Sequence, residues 1–124
     1  MENLEGRVEW LNHNSKRILL ADYSNLKGDD LMVVFNRSKS TQEKAGKDVL
    51  LIVDFTGAKA NNEIVAALKK AGKELDKDMK KTAVIGLAPL HRIFYNGYIQ
   101  VTGQGYKTKV FQKREESLDW ITSD

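Results

Sequence analysis

Several residue types that support common chemistries are absent or scarce in this sequence. The chain has no cysteine, one proline and two histidines, so disulfides, thiol catalysis and cysteine-ligated zinc are excluded. His13 and His91 are too few for a histidine-rich metal site. No apolar run approaches the roughly 18 residues that a transmembrane helix needs, and the acidic N-terminus lacks the pattern of a secretory signal. We therefore expect a cytoplasmic protein with no metal, no cofactor and no transmembrane segment.

Length and charge favour a single domain that does not bind nucleic acid. A chain of 124 residues has the size of one ordinary domain, so we expect one domain over residues 1–124. Its 20 lysines and arginines are opposed by 17 acidic residues, which leaves a net charge of only +3. The lysines between residues 69 and 81 are interrupted by acids and lack interleaved aromatic side chains for base stacking. That segment is typical of a solvated helix face.

Hydrophobic patterning predicts five strands and four helices. An alternating segment and a short apolar run on either side of an Asn-rich turn predict an antiparallel hairpin, and three later runs predict further strands. The predicted strands are residues 7–11, 18–21, 49–53, 82–88 and 108–111. Helical spacing of apolar residues predicts the helices. Their stripes cover residues 31–38, 64–75, 90–101 and 115–121.

The predicted order β-β-α-β-α-β-α-β-α defines the fold class. Strands that alternate with amphipathic helices imply right-handed crossovers, and therefore an α/β fold with a mostly parallel, mixed five-stranded sheet. The first strand is expected to lie antiparallel at an edge. Ligands of such sheets bind beyond the carboxyl ends of the strands. In the predicted third parallel strand, Gly86 indicates the close approach of another backbone.

Four local motifs resemble the SpoIIAA-like branch of the STAS-domain superfamily, which is related to bacterial anti-sigma factor antagonists. The motifs are RILLADYS at residues 17–24, DFTGAK at 54–59, RIFYN at 92–96 and REESLDWI at 114–121. Together they extend over nearly the whole chain, in order and on the matching elements. The resemblance implies a STAS-like fold and a function in binding a partner, in regulation, rather than in turning over a substrate.

The resemblance also bears on phosphorylation. In the antagonists proper, the cognate kinase phosphorylates a serine of an Asp-Ser-Ser-Gly motif at the start of a helix. With Asp54 as the matching aspartate, this motif falls on residues 62–65, which read Asn-Glu-Ile-Val. Because no hydroxyl stands there, we predict that this chain lacks the usual phosphoacceptor serine.

The loop after Asp54 is the first candidate binding site. Thr56 and Gly57 follow the predicted strand, and Asn61 and Asn62 stand at the head of the next helix, where unpaired N–H groups favour an anion or a polar partner. In the alternative interpretation, an asparagine only caps the helix and Thr56 only ends the strand.

A second candidate surface lies on the predicted third helix. Arg92, Tyr95 and Tyr98 fall off the apolar stripe of that helix, and tyrosine with arginine is a combination that protein interfaces favour. We predict that this face contacts a protein partner or a second copy of the chain in a homodimer.

Two alternatives from other classes stay open. Asp22 and Asp54 end neighbouring predicted strands, as the acid and base of a small enzyme would. No histidine, lysine or metal ligand is spaced to work with them, so we predict no catalytic residues and no enzyme activity. The other alternative is a carrier of a small apolar or anionic, lipid-type ligand, held in an enclosed pocket between sheet and helices.

Overall fold

The architecture comes from a computed structural model, which describes residues 4–86 and 107–123. The elements in chain order are β1 (Val8–His13), β2 (Lys16–Asp22), α1 (Asp29–Ala45), β3 (Val49–Asp54), α2 (Asn62–Leu75), β4 (Met79–Ile85), β5 (Thr108–Phe111) and α3 (Arg114–Ile121). Short 3-10 helices at Glu5–Arg7 and Asp76–Asp78 precede β1 and β4.

The five described strands form one sheet in the order β1-β2-β3-β4-β5. β1 is antiparallel to β2, and each later pair of neighbours is parallel. Asn14 and Ser15 connect β1 to β2 with φ values of 50° and 64°, as a two-residue type I′ hairpin turn requires. The predicted mixed sheet, mostly parallel with an antiparallel edge strand, is confirmed.

Both faces of the sheet are covered, which explains why the central strands are continuous apolar runs. All six residues of β3 are buried, although successive side chains of a strand point to opposite faces. Leu51 and Val53 belong to a core cluster with residues of α1 and α2. Leu50 and Ile52 belong to a second cluster that includes Ile121 of α3.

The described helices begin and end close to the predicted positions. α1 lies between Gly28 and Gly46, both of which have positive φ, a conformation that glycine adopts without strain. α2 buries Ile64, Ala71 and Leu75 of its predicted apolar stripe. The predicted patterning of these two helices therefore matches the face that each buries against the core.

The predicted third helix lies outside the described residues. It carries His91, Arg92, Tyr95 and Tyr98, so the candidate surface on that helix stays a prediction. Within residues 4–86 and 107–123, no helix combines the length and the apolar character needed to cross a membrane.

Candidate functional site

Two neighbouring strands end in register at one edge of the sheet, which we call the carboxyl edge. Asp22, the last residue of β2, is the register partner of Asp54, the last residue of β3. The loops that follow stay joined, because the Asn25 N–H donates to the Thr56 carbonyl at 2.9 Å and the Lys59 N–H donates to the Leu26 carbonyl at 2.9 Å. The two loops therefore form one unit rather than two independent turns.

A buried aromatic pair lies directly beneath these loops. Tyr23 and Phe55 stack with ring centroids 4.8 Å apart and an interplanar angle of 17°. Both residues belong to the core cluster that includes α1 and α2. Burial raises the pKa of the Tyr23 hydroxyl far above its ordinary value, so Tyr23 stays neutral and supports the loops by packing.

The Asp22 carboxylate has partners from three parts of the chain. Its Oδ1 accepts a hydrogen bond from the Ser24 N–H at 2.9 Å. Arg7 and Arg114 approach its two oxygens at 3.4 Å and 3.3 Å. Although burial alone raises the pKa of Asp22, the Ser24 hydrogen bonds and the two guanidinium charges together lower it below its ordinary value. Asp22 is therefore held as a carboxylate.

Asp54 is the more buried of the two carboxylates, with 7% of its side chain exposed. Its Oδ1 accepts hydrogen bonds from the Thr56 N–H at 2.9 Å and from the Thr56 hydroxyl at 2.6 Å. Its Oδ2 accepts from Arg114 Nε at 3.0 Å. Each oxygen of Asp54 is therefore occupied by a donor of the protein itself.

Arg114 and Arg7 were not assigned a role from the sequence. Arg114, the first residue of α3, contacts both carboxylates. Arg7 donates to the Ser24 carbonyl at 2.9 Å as well as approaching Asp22. Arg114 does stand in the last of the four resemblance motifs, which is the signal that could have singled it out, whereas no motif contains Arg7.

The predicted contact loop lies at the carboxyl edge, and its residues Thr56 and Gly57 are both exposed. Gly57 has a φ of +70°, and a Cβ there would meet the Asn25 side chain. Gly86 has a φ of +75°, and a Cβ there would lie 2.7 Å from Thr56 Cα and 2.9 Å from Thr56 N. The close backbone approach predicted from Gly86 is confirmed, and Thr56 is the residue that it approaches.

The two asparagines at the head of α2 differ in their roles. Asn61 is the N-cap, and its Oδ1 accepts a hydrogen bond from the Ile64 N–H at 2.8 Å, the bond that a helix cap makes. Asn62 is the first residue of the helix and is exposed. For Asn61 the capping interpretation is therefore the one that the structure favours, whereas Asn62 faces solvent.

At the carboxyl edge, the charged groups are therefore paired within the protein, and exposed polar residues lie beside them. Asp22 and Asp54 contact the donors of Ser24 and Thr56 and the two arginines, as described above. In the parts of the chain that the structure describes, no three histidine or acidic side chains group together as a metal site would require. Asn25, Thr56, Gly57 and Asn62 are among the exposed residues of this edge.

Comparison with known proteins identifies the fold. No protein-family model and no curated protein matches the sequence. The structure is similar to that of an uncharacterized protein of the DUF3478 family with a SpoIIAA-like fold from Shewanella loihica PV-4. The TM-score is 0.66 at 17% sequence identity, over 92% of this chain and 91% of that one. The chain described here therefore has a SpoIIAA-like fold, as the STAS-related motifs predicted.

Proposed function

We propose that this chain is a non-enzymatic STAS-like module that binds a protein partner, in regulation, through the loops of the carboxyl edge. The observation that carries the proposal is the bridge formed by Arg114, which contacts Asp22 and Asp54 at 3.3 Å and 3.0 Å. If this edge were the active site of an enzyme, these two carboxylates would serve as its acid and base. In the proposed module their oxygens hold the loops in place.

A rigid and exposed loop pair suits partner binding. The backbone bond from Asn25 to Thr56, the hydrogen bonds from Thr56 to Asp54, and the Tyr23–Phe55 stack all fix the loops before any partner arrives. A surface that is already ordered loses less conformational entropy on association, which increases affinity. The exposed amide side chain of Asn62 can supply directional hydrogen bonds at such a surface.

We further propose that this binding operates without the phosphoserine switch of the antagonists. The matching positions, residues 62–65, lie at the start of α2 and carry no hydroxyl. Ile64 is fully buried in the core, so this position serves the packing of α2. Phosphorylation at these positions would require a serine, threonine or tyrosine hydroxyl, and residues 62–65 have none.

The experiment compares two matched variants as baits for protein capture. Asn62→Arg places a long charged side chain on the proposed surface, and Asn36→Arg makes the same change at an exposed position of α1. Each tagged protein is incubated with lysate from its own cells, and the bound proteins are quantified by mass spectrometry. We expect one or more partners that wild type and Asn36→Arg retain equally and Asn62→Arg loses.

Two results would contradict the proposal. One is a set of bound proteins that is the same for both variants, because the carboxyl edge would then play no part in recognition. The other is the absence of any protein enriched by the wild-type bait. The surface predicted from Arg92, Tyr95 and Tyr98 is tested in the same experiment with the double variant Arg92→Ala and Tyr95→Ala, which we expect to lose the same partners with no change in melting temperature.

A further inference from the structure

The opposite edge of the sheet carries a groove whose chemistry differs from that of the carboxyl edge. The groove lies between the end of α1, the start of β3 and the β1–β2 hairpin, with a volume of about 510 Å³. This volume falls within the range of about 300 to 1,000 Å³ that small-molecule sites occupy. We call this feature the amino-edge groove, because the parallel strands β2 and β3 begin there.

The walls of the amino-edge groove are positively charged. Arg17, Lys44 and Lys47 line it, and Asp48 is the acidic residue among the lining side chains. Within the described part of the chain, neither Lys44 nor Lys47 forms an ion pair. Lys44 lies in the last turn of α1, where a cation also offsets the helix dipole. Arg17 and Lys47 lie outside that helix, so the dipole does not explain the whole cluster.

An aromatic side chain orders one of these cations. The Arg17 guanidinium carbon lies 3.9 Å from the centroid of a Trp10 ring, in a cation–π contact. Trp10 stands on β1, and Arg17 stands on β2. The stacked guanidinium is restricted to few conformations while its N–H groups stay able to donate in a plane, which is the arrangement that binds carboxylate or phosphate oxygens well.

The floor of the amino-edge groove includes apolar side chains. Val49, the first residue of β3, is 5% exposed and lies on the same face of the sheet as Trp10, whereas the Leu50 side chain packs in the cluster on the opposite face. Ala45 and the half-buried Trp10 ring extend this apolar lining. A ligand that fits both the floor and the walls has an anionic group for the cations and a flat or apolar body for the lining.

We propose that the amino-edge groove binds a small organic anion, an aromatic or apolar molecule that carries a phosphate or carboxylate group. Lys44, Lys47 and Arg17 bind the oxygens, and the body packs on Trp10, Ala45 and Val49. The amino-edge groove is separate from the carboxyl edge, so ligand binding in the groove does not depend on partner binding at the carboxyl edge.

The test uses three probes that separate the parts of the proposed ligand. Phenyl phosphate carries the ring and the charge, inorganic phosphate carries the charge alone, and phenol carries the ring alone. The signal is the indole N–H resonance of Trp10 in a ¹H–¹⁵N spectrum at low ionic strength. The sequence has two tryptophans, and Trp120 packs against the core cluster on the other face of the sheet, so its resonance is an internal control.

We expect phenyl phosphate to shift the Trp10 resonance in a saturable way and to leave the Trp120 resonance in place. Inorganic phosphate should bind more weakly, and phenol should give no saturable shift. The double variant Lys44→Glu and Lys47→Glu should weaken phenyl phosphate binding about tenfold or more, because two charge-assisted contacts are replaced by repulsion. Unchanged thermal unfolding of that variant confirms that its fold is intact.

A charge-matched control separates a local site from the overall charge of the protein. Lys70→Glu with Lys73→Glu makes the same change in net charge at exposed positions of α2 and should leave phenyl phosphate binding unchanged. The proposal is overturned if phenyl phosphate produces no saturable Trp10 shift, if phenol binds as well as phenyl phosphate, or if both charge-reversal variants weaken binding equally.

Discussion

The two ends of the sheet use charge in opposite ways. At the carboxyl edge, Asp22 and Asp54 contact Arg7, Arg114 and the N–H groups of the following loops. At the amino edge, the cations of the groove lie beside one aspartate, and Lys44 and Lys47 form no ion pair with any described residue. The paired charges of the carboxyl edge hold the backbone of its loops, whereas Lys44 and Lys47 of the amino-edge groove can pair with a ligand.

This difference shows why the presence of two carboxylates at strand ends does not by itself indicate catalysis. A buried carboxylate is stable only when hydrogen bonds and opposite charges replace its lost hydration. At the carboxyl edge the hydrogen-bond donors Ser24 and Thr56 are near neighbours of the two carboxylates. The opposite charges come from arginines that are distant in sequence, and Arg114 connects α3 to β2 and β3. Asp22 and Asp54 thus act as anchors of the loops that follow β2 and β3.

The largest effect should come from removing the most buried anchor. Asp54→Ala leaves Arg114 without one of its partners and the Thr56 N–H without its acceptor. We expect a loss of about 3 kcal/mol in the free energy of unfolding, measured by urea denaturation. Asp119→Ala is the control, because that side chain is 78% exposed and its loss should cost below about 0.5 kcal/mol. Equal losses for both variants would mean that Asp54 is not an anchor.

A smaller effect is expected where β4 meets the Thr56 loop. In Gly86→Ala the new methyl group would lie 2.7 Å from Thr56 Cα, on a backbone with a φ of +75°. We expect a loss of about 2 kcal/mol in the free energy of unfolding, together with shifts of the Thr56 and Gly57 amide resonances. Gly6→Ala is the control, since its methyl group would meet nothing within 4 Å. An unchanged stability of Gly86→Ala would show that the loop does not depend on this contact.

The pH dependence of stability should report the pairing of Asp22. Since its pKa is lowered in the folded protein, the stabilisation is present above the unfolded-state pKa of about 3.9 and is lost as the pH falls through the folded-state value. Wild type should therefore lose more stability than Asp22→Asn between about pH 5 and pH 2. Unfolding free energies measured across this range would contradict the account if the two curves ran parallel.

The smallest effect on stability is expected at the amino-edge groove. Lys44→Ala with Lys47→Ala removes two exposed cations that form no ion pair with a described residue. The free energy of unfolding should change by less than about 0.5 kcal/mol. A loss above about 1 kcal/mol would mean that these lysines stabilise the end of α1 instead of serving a ligand. Thermal unfolding in buffer without phosphate measures the difference.

The sequence predicted the sheet and the described helices well because their signals are local. A continuous apolar run predicted β3, which is buried along its whole length. Helical spacing of apolar residues predicted α2, which buries residues of that stripe. The placement of Asp22 and Asp54 at one edge followed from the order of the elements. The resemblance motifs led to the SpoIIAA-like fold, which the structural similarity supports over 92% of the chain.

The arginine partners of the two carboxylates were not predictable in the same way. Arg7 reaches Asp22 from 15 positions earlier in the chain, and Arg114 reaches Asp54 from 60 positions later. No periodic pattern connects residues at such separations. The amino-edge groove is also assembled from three elements, so that Trp10, Arg17 and Lys44 become neighbours only in the folded chain.

The pairing of Asp54 with Arg114 is the central claim, and a double-mutant cycle tests it most directly. The free energy of unfolding is measured for wild type, Asp54→Ala, Arg114→Ala and the double variant. We predict a coupling of about 1 to 2 kcal/mol, because either single change removes the same contact. Additive losses, within about 0.3 kcal/mol, would contradict the claim that this ion pair anchors the carboxyl edge.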